Sequence, residues 1–381
     1  MKNCTHKDKK KFKVAIATGG TGGHIFPALA FVEMLKKDGQ AHFILADERF
    51  LNFKSQFPKD LNYKIIFSSA LAEYGFLKIL GAIKILYGSL QALFSMLLAK
   101  PDLLVSFGGY PSFPAMLAAT LLRVPLLIHE PNSIVGRASK FFLRTAMAVS
   151  VSFKGTKGVE KINHKKLFYT GTPIRREILD ARKKNYPSIN LKSKIHILIL
   201  GGSQGARIFS SVIPLAVFTL KEKLKKRLCI HQQCRAENFR ELNLLYKENK
   251  IQAEVKIFFD NMGHEFSKAH LIISRSGALT VSELIAVGRP SILVPFPFAM
   301  DNHQFFNAKE LKKSKAAEII LEEEFTPKKL TNTLQNILSK PSFLKVSANN
   351  AKKMFNNWNN SFYDLVKTCV QKRKSCDKFI K

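Results

Sequence analysis

Short apolar runs alternate with helix-period stretches along most of the chain. Runs at 13–18, 42–46, 102–107, 124–128 and 147–153 have the length and β-branched content of buried parallel strands. Helical patterns stand between them at about 27–38, at 73–100 and before residue 122. The same rhythm returns in the second half. Strands are predicted at 194–200, 228–231, 254–258, 271–273, 291–295 and 317–321. Helices are predicted after 205, at 236–249, 278–288, 304–313 and 327–339, and within 348–370. Pro27 suits the first turn of its helix, and Pro214 is expected to kink or interrupt the helix it falls in. This alternation predicts an α/β chain built on parallel sheets.

Glycine loops follow the strands at 19–23, 108–109, 201–205 and 276–277. A strand that turns through glycines into a helix offers free N–H groups and the positive end of a helix dipole, which suit a phosphate. The run Gly19-Gly20-Thr21-Gly22-Gly23 is richer in glycine than a structural turn needs, and implies a backbone that something approaches closely. It is not G-x-G-x-x-G, since counting from Gly20 ends on Ile25, and no G-K-[ST] follows to make a P-loop. Asp47 follows the second strand, where the ribose-binding acid of a dinucleotide enzyme would lie, so a Rossmann-type NAD-dependent oxidoreductase stands as an alternative. Glu283 falls in the first or second turn of the helix after Gly277 and can accept from two adjacent hydroxyls, such as those of a ribose. The plainer alternative is that Ser276 and Gly277 only make a turn and Glu283 only favours a helix start.

A chain of 381 residues suggests two domains. Composition places them at 12–170 and 171–350, with a helix and basic tail at 351–381 that can pack back on the first domain. The formal net charge of +33 favours an anionic partner, nucleic acid or lipid. No base-reading motif is present, which argues against nucleic acid. Five cysteines without a C-x-x-C pair point to a reducing compartment, and Cys229, His231 and Cys234 read as a strand and its exit, not a zinc site. The basic N-terminus lacks the apolar core of a secretory signal. From 76 to 86 apolar residues exceed a single stripe, with Lys78 and Lys84 among them. Core packing or a solvated lysine face is one reading of this pattern, and contact with an anionic membrane surface is the other. The uncharged stretch 85–99 is shorter than the roughly 18–20 residues of a spanning helix, so no crossing is expected. No two aspartates are separated by one residue, so a diphosphate would be neutralised by helix N-termini and basic side chains, with no metal or other cofactor.

The motifs GGTGGHIFP, FGGYPS, HEPN, GGSQGAR, SRSGALTVSE and DNHQFFNA, in this order, resemble the MurG family over about residues 14–340. Those are GT-B-fold transferases that add N-acetylglucosamine to the undecaprenyl-linked muramyl-pentapeptide of bacterial cell-wall synthesis. The resemblance implies two Rossmann-like domains whose parallel sheets face each other across a cleft. It implies UDP-N-acetylglucosamine held mainly by the C-terminal half. Glu283 would take the ribose hydroxyls and Phe259 would present its backbone to uracil. Ser203 and the helix start Ala278, Leu279, Thr280, Val281 and Ser282 would hold the pyrophosphate, and Gln304 would read the sugar. Thr21, Gly22, Gly23, Asn132 and Arg175 would complete the site from the other side. His24 would remove a proton from the attacking hydroxyl, with Glu130 orienting it or standing in for it. Displacement would be single and inverting, at the cytoplasmic face of the bacterial inner membrane, by a peripheral protein. Where the family has H-E-Q-N this chain has His129-Glu130-Pro131-Asn132, and for N-P-[VI]-R it has Thr172-Pro173-Ile174-Arg175. Another GT-B nucleotide-sugar transferase is the nearer alternative.

Overall fold

Strands buried on both faces read as near-continuous apolar runs, and the chain builds two sheets from them. The computed structural model describes residues 11–58, 60–69, 76–190, 192–202 and 205–379, and of 76–78 and 374–379 the backbone alone. The chain divides into two units. The first takes the chain up to Pro131, Val135–Pro173 and everything from Asn359 on, and the second takes Asn132–Ile134 and Ile174–Trp358.

In the first unit the described residues form a seven-stranded parallel sheet of order β3-β2-β1-β4-β5-β6-β7. Its strands are β1 Lys13–Ala17, β2 Ala41–Ala46, β3 Tyr63–Ile65, β4 Leu103–Ser106, β5 Leu126–Glu130, β6 Ala148–Val151 and β7 Leu167–Tyr169. The helices α1 Gly22–Lys37, α2 Phe76–Ala99, α3 Phe113–Leu121 and α4 Arg137–Phe142 connect them. Alternation along β1 sends Val14 and Ile16 to the face covered by Phe31, Val32 and Leu35 of α1. Ala15 and Ala17 go to the face covered by Ala92 and Met96 of α2 and Ala115 and Ala119 of α3.

In the second unit the described residues form a six-stranded parallel sheet, β10-β9-β8-β11-β12-β13. These strands are β8 Ile195–Leu200, β9 Leu228–Gln233, β10 Gln252–Lys256, β11 Leu271–Ser274, β12 Ser291–Leu293 and β13 Ala317–Ile319. Its helices are α5 Arg176–Lys183, α6 Arg207–Phe218, α7 Glu222–Lys225, α8 Ala236–Glu248, α9 Met262–Lys268, α10 Ala278–Val287, α11 His303–Lys313, α12 Pro327–Leu338 and α13 Pro341–Met354. Cys229 and His231 lie on β9, and Cys229 and Cys234 are buried free thiols. α14, Trp358–Phe379, returns to the first unit, where Phe362 meets Phe31 edge-on at 5.2 Å and the Tyr363 hydroxyl donates to Asp38 at 2.9 Å.

Both sheets reverse strand order at one place, between β1 and β4 and between β8 and β11. Ligands of such sheets bind outside the carboxyl ends of the strands at that reversal. The glycine loops stand there: 19–23 follows β1, 108–109 follows β4, Gly201 and Gly202 follow β8, and 276–277 follows β11.

Several local expectations are corrected. α1 starts at Gly22, with Thr21 extended before it, so Gly22, Gly23 and His24 form its first turn and Pro27 lies inside it. Strand β5 runs through His129 and Glu130, which had been placed in its exit loop. One C-terminal helix was expected within 348–370, but α13 and α14 are separate, with Asn357 between them at φ 47°. α6 continues past Pro214. The 85–99 stretch, judged alone to be too short to span, is part of α2, where the helical pattern at 73–100 places it. Within α2, Ile79–Ala99 is 21 residues of mean hydropathy 1.5, long and apolar enough to cross a membrane, because Lys84 is its one interruption. In the fold one stripe of it is packed. Ala92 and Met96 enter the core and Ser89 and Ser95 are buried, while Ile79, Ile83, Leu86, Leu90, Phe94 and Leu97 are exposed.

Candidate active site

In the first unit, β1 ends at Ala17 and the chain turns through Gly19 at φ 145° and Gly20 at φ 79°, values that side chains rarely adopt. The turn delivers Thr21, Gly22 and Gly23 to the start of α1, where the first amides of the helix have no carbonyl to bond within it. His24 follows as the third residue of α1, its amide bonded to the Thr21 carbonyl at 3.0 Å. His24 Nδ1 lies 2.8 Å from the carbonyl oxygen of Phe107, at the end of β4. A carbonyl only accepts, so Nδ1 carries the proton and Nε2 is left as the basic nitrogen. The second glycine loop makes room for that ring. A Cβ at Gly109, whose φ is 76°, would stand 3.3 Å from His24 Nε2 and 3.2 Å from Cδ2.

Glu130 is 2% exposed, and its Oε2 accepts the Gly136 amide at 2.8 Å. The carbonyl of Phe107 thus fixes the His24 ring at Nδ1. His129 is fully buried beside Phe107, and its Nδ1 is 3.0 Å from Ser150 Oγ. Ser150 bonds Thr170, and the Thr170 hydroxyl donates to the Gly171 carbonyl. Proton direction therefore runs outward from His129 Nδ1–H along this ladder. Burial, and after it the neighbouring His24, holds the His129 pKa down at about 3.

Asp47 does not stand free at the end of β2. Its Oδ1 accepts the Gly20 amide at 3.0 Å and its Oδ2 accepts Arg49 Nε at 2.6 Å. A carboxylate committed to the loop and to an arginine is not the ribose acceptor that the oxidoreductase alternative requires.

In the second unit, the chain leaves β11 through Arg275-Ser276-Gly277 and enters α10, whose amides at Ala278, Leu279 and Thr280 have no carbonyl to bond within the helix. Val281 already donates to the Gly277 carbonyl at 3.0 Å, so within the expected stretch 278–282 the amides left without a helix carbonyl are 278–280. The Ser282 hydroxyl is buried. Glu283 is 4% exposed, and its Oε1 accepts Arg175 Nε at 3.0 Å and Nη2 at 2.7 Å. Burial raises its pKa and the Arg175 charge opposes that rise. Arg175 also pairs with Glu177 at 3.0 Å. Ser203 lies outside the described residues.

Gln304 ties two strand exits together. Its Oε1 accepts the Phe296 amide at 3.0 Å, and its carbonyl accepts the Ser276 hydroxyl at 2.8 Å. Because Oε1 meets an N–H, the amide orientation is fixed, and its NH2 has no partner among the described residues. The Phe259 ring is buried, with Lys256 Nζ 5.6 Å from its centre.

Asn132, which falls within the expected first domain, and Arg175, within the expected second, both group with the second unit. The reason is in their bonds. Asn307 donates to Asn132 Oδ1 at 3.1 Å and to the Ser276 carbonyl at 3.2 Å, and its own Oδ1 accepts the Ser133 amide at 2.8 Å. Asn307, fully buried, was not singled out, although it lies in DNHQFFNA. Nor was Arg275, which donates to the Val294 and Pro295 carbonyls and pairs with Glu322.

Residues 14–151 match the glycosyltransferase family 28 N-terminal domain and residues 196–368 its C-terminal domain. Two parallel-sheet units, each with paired glycine loops at its reversal, define a glycosyltransferase of the GT-B fold. The chain is 35% identical over 341 residues to the UDP-N-acetylglucosamine–N-acetylmuramyl-(pentapeptide) pyrophosphoryl-undecaprenol N-acetylglucosamine transferase of Wolbachia from Brugia malayi, covering 90% of this chain and 94% of that one. It is 36% identical to the protein of the same name from Rhizobium rhizogenes, over 89% of this chain and 90% of that one. The crystal structure of MurG from Acinetobacter baumannii superimposes with a TM-score of 0.74 at 29% identity, covering 93% of this chain and 99% of that one. The chain belongs to the MurG family of glycosyltransferases.

Proposed function

We propose that this chain transfers N-acetylglucosamine from UDP-N-acetylglucosamine to the muramyl sugar of undecaprenyl-pyrophosphoryl-N-acetylmuramyl-pentapeptide, with the labour divided between its units. The second unit holds the donor. The amides of Ala278, Leu279 and Thr280, with Ser203, take the diphosphate. Glu283 accepts the ribose hydroxyls through Oε2, which no described residue claims, while Arg175 holds Oε1. Phe259 meets uracil with its backbone. Gln304 turns its NH2 to the sugar. Asn132, held by Asn307, borders the same site.

The first unit supplies the chemistry on the acceptor. Thr21, Gly22 and Gly23 present the start of α1 to it, and His24 Nε2 takes the proton of the attacking hydroxyl. That oxygen bonds to the anomeric carbon as the bond to the UDP oxygen breaks, and the α-linked donor gives a β product. General-base help of this kind contributes about 10²–10⁴-fold. Glu130 holds the Gly136 amide at the start of α4.

The observation that carries this reading is His24 itself. Its Nδ1 is held by Phe107, its Nε2 is basic, and the ring lies against Gly109 in a unit whose sheet reverses there. The membrane assignment rests on α2. Its outward face, from Ile79 to Leu97, is apolar on a chain of net charge +33, which fits peripheral binding to the anionic cytoplasmic face of the inner membrane. Thermal unfolding with added UDP, NAD or oligonucleotide tests the class of ligand. Stabilisation by UDP alone is expected, and stabilisation by NAD alone would overturn it.

A further inference from the structure

We propose that Asp47 and Arg49 are positioning residues that lock the loop 19–23 and, through it, His24. This inference rests on the reading of His24 as the base. Gly19 and Gly20 both have positive φ, a backbone with wide freedom unless something ties it. Asp47 ties it. Its carboxylate is 5% exposed and accepts the Gly20 amide at 3.0 Å. The approach is so close that a Cβ at Gly19 would stand 2.5 Å from Asp47 Oδ1.

Arg49 neutralises that buried carboxylate from its other oxygen, with Nε at 2.6 Å and Nη2 at 2.5 Å. Its guanidinium carbon also lies 4.6 Å from the centre of the Tyr110 ring. Tyr110 directly follows Gly109, the glycine packed against the His24 ring. The exits of β1, β2 and β4 are thereby joined through one carboxylate and one guanidinium. His24 sits in the first turn that the loop feeds, so slack at Gly20 becomes displacement at Nε2. Neither Asp47 nor Arg49 needs to touch substrate for this. A displacement of about 1 Å at reacting groups can lower a rate about 10²-fold.

The test combines a double-mutant cycle with amide hydrogen exchange over residues 18–25. Asp47→Ala should speed exchange at Gly20 and its neighbours, lower kcat about 10²-fold and leave the donor KM near the parental value. Asp47→Asn keeps an acceptor for the Gly20 amide and should restore most of the protection, while Arg49→Ala should give an intermediate loss. In a His24→Ala background, Asp47→Ala should cost little more, because both act through one group. Unchanged exchange, or losses that multiply, would overturn the lock. If His24→Ala alone kept near-parental kcat, the base reading would fail by itself. The lock would then be supported by faster exchange with lowered kcat in Asp47→Ala, and overturned by parental values of either.

Discussion

Arg175 donates to a single oxygen of Glu283, from Nε at 3.0 Å and from Nη2 at 2.7 Å, and leaves Oε2 without a partner among the described residues. The arginine charge thus opposes protonation of a buried carboxylate, and half of that carboxylate remains available. Desolvation pushes the Glu283 pKa up and Arg175 restrains it. Removing Arg175 should let Glu283 bind a proton at higher pH. In Arg175→Ala, UDP affinity should fall, and fall further as pH is lowered, while the parent changes less. Glu283→Ala should weaken UDP by about ten- to hundredfold, the worth of a charge-assisted contact of about 1.5–3 kcal/mol. Calorimetric titration across pH measures both. Parental affinity in Glu283→Ala would remove the ribose assignment.

Acid should destabilise the fold through histidines that it keeps neutral. Burial holds His129 at about 3, and burial followed by the charges of His231 and His270 holds His196 at about 4. The unfolded chain takes up these protons near pH 6.5, so the native state binds fewer protons below that value. Stability is full above about 6.5 and is lost as pH falls from there toward 4 and 3. The slope contributed by the fully buried His129 is at most about 1.4 kcal/mol per pH unit. Urea unfolding at a series of pH values should show this, with a shallower dependence in His129→Gln. An identical slope in that variant would contradict the assignment.

How much of this was legible in the sequence follows from what each feature depends on. The four glycine loops were readable because each follows a short apolar run, and a strand order that reverses twice brings them together in pairs. The order itself is a long-range fact. The edge strands β3 and β7 have three residues each, too few to show a period. Asp47 stands at the right distance for a ribose acid, and only the fold reveals that Gly20 and Arg49 occupy it. Asn132 and Arg175 come from the first half of the chain but bond to Asn307 and Glu283, more than a hundred residues on. Helix α1 was expected too late because Pro27 was read as a first-turn residue, whereas glycines open the helix.

Membrane binding should follow the exposed face of α2. Ile83 and Leu90 are both more than half exposed and lie on it. The double change Ile83→Ser with Leu90→Ser should reduce sedimentation with vesicles, without altering turnover of a soluble acceptor. Binding of the parent should rise with anionic lipid and weaken with salt, since each basic residue near such a surface contributes on the order of 1 kcal/mol. Equal partitioning of parent and variant would move the membrane contact elsewhere. The side chain of Leu77, on the same stretch, lies outside the described residues.

Diphosphate departure should need no metal. The chain has no pair of aspartates separated by one residue, and the proposed stabilisers are helix amides and Ser203. Transfer should therefore persist in excess EDTA. Complete loss on chelation, restored by Mg²⁺ or Mn²⁺, would show that the helix amides do not suffice.

The central claim is that this chain performs an inverting transfer with His24 as base. The most direct measurement follows labelled N-acetylglucosamine from its UDP donor to a soluble lipid-linked muramyl-pentapeptide analogue, with parent and His24→Ala, and determines the new anomeric linkage by NMR. The account predicts a β linkage, and a His24→Ala kcat lowered about 10²–10⁴-fold with UDP affinity nearly unchanged. An α-linked product, or a His24→Ala variant that turns over at the parental rate, would contradict it.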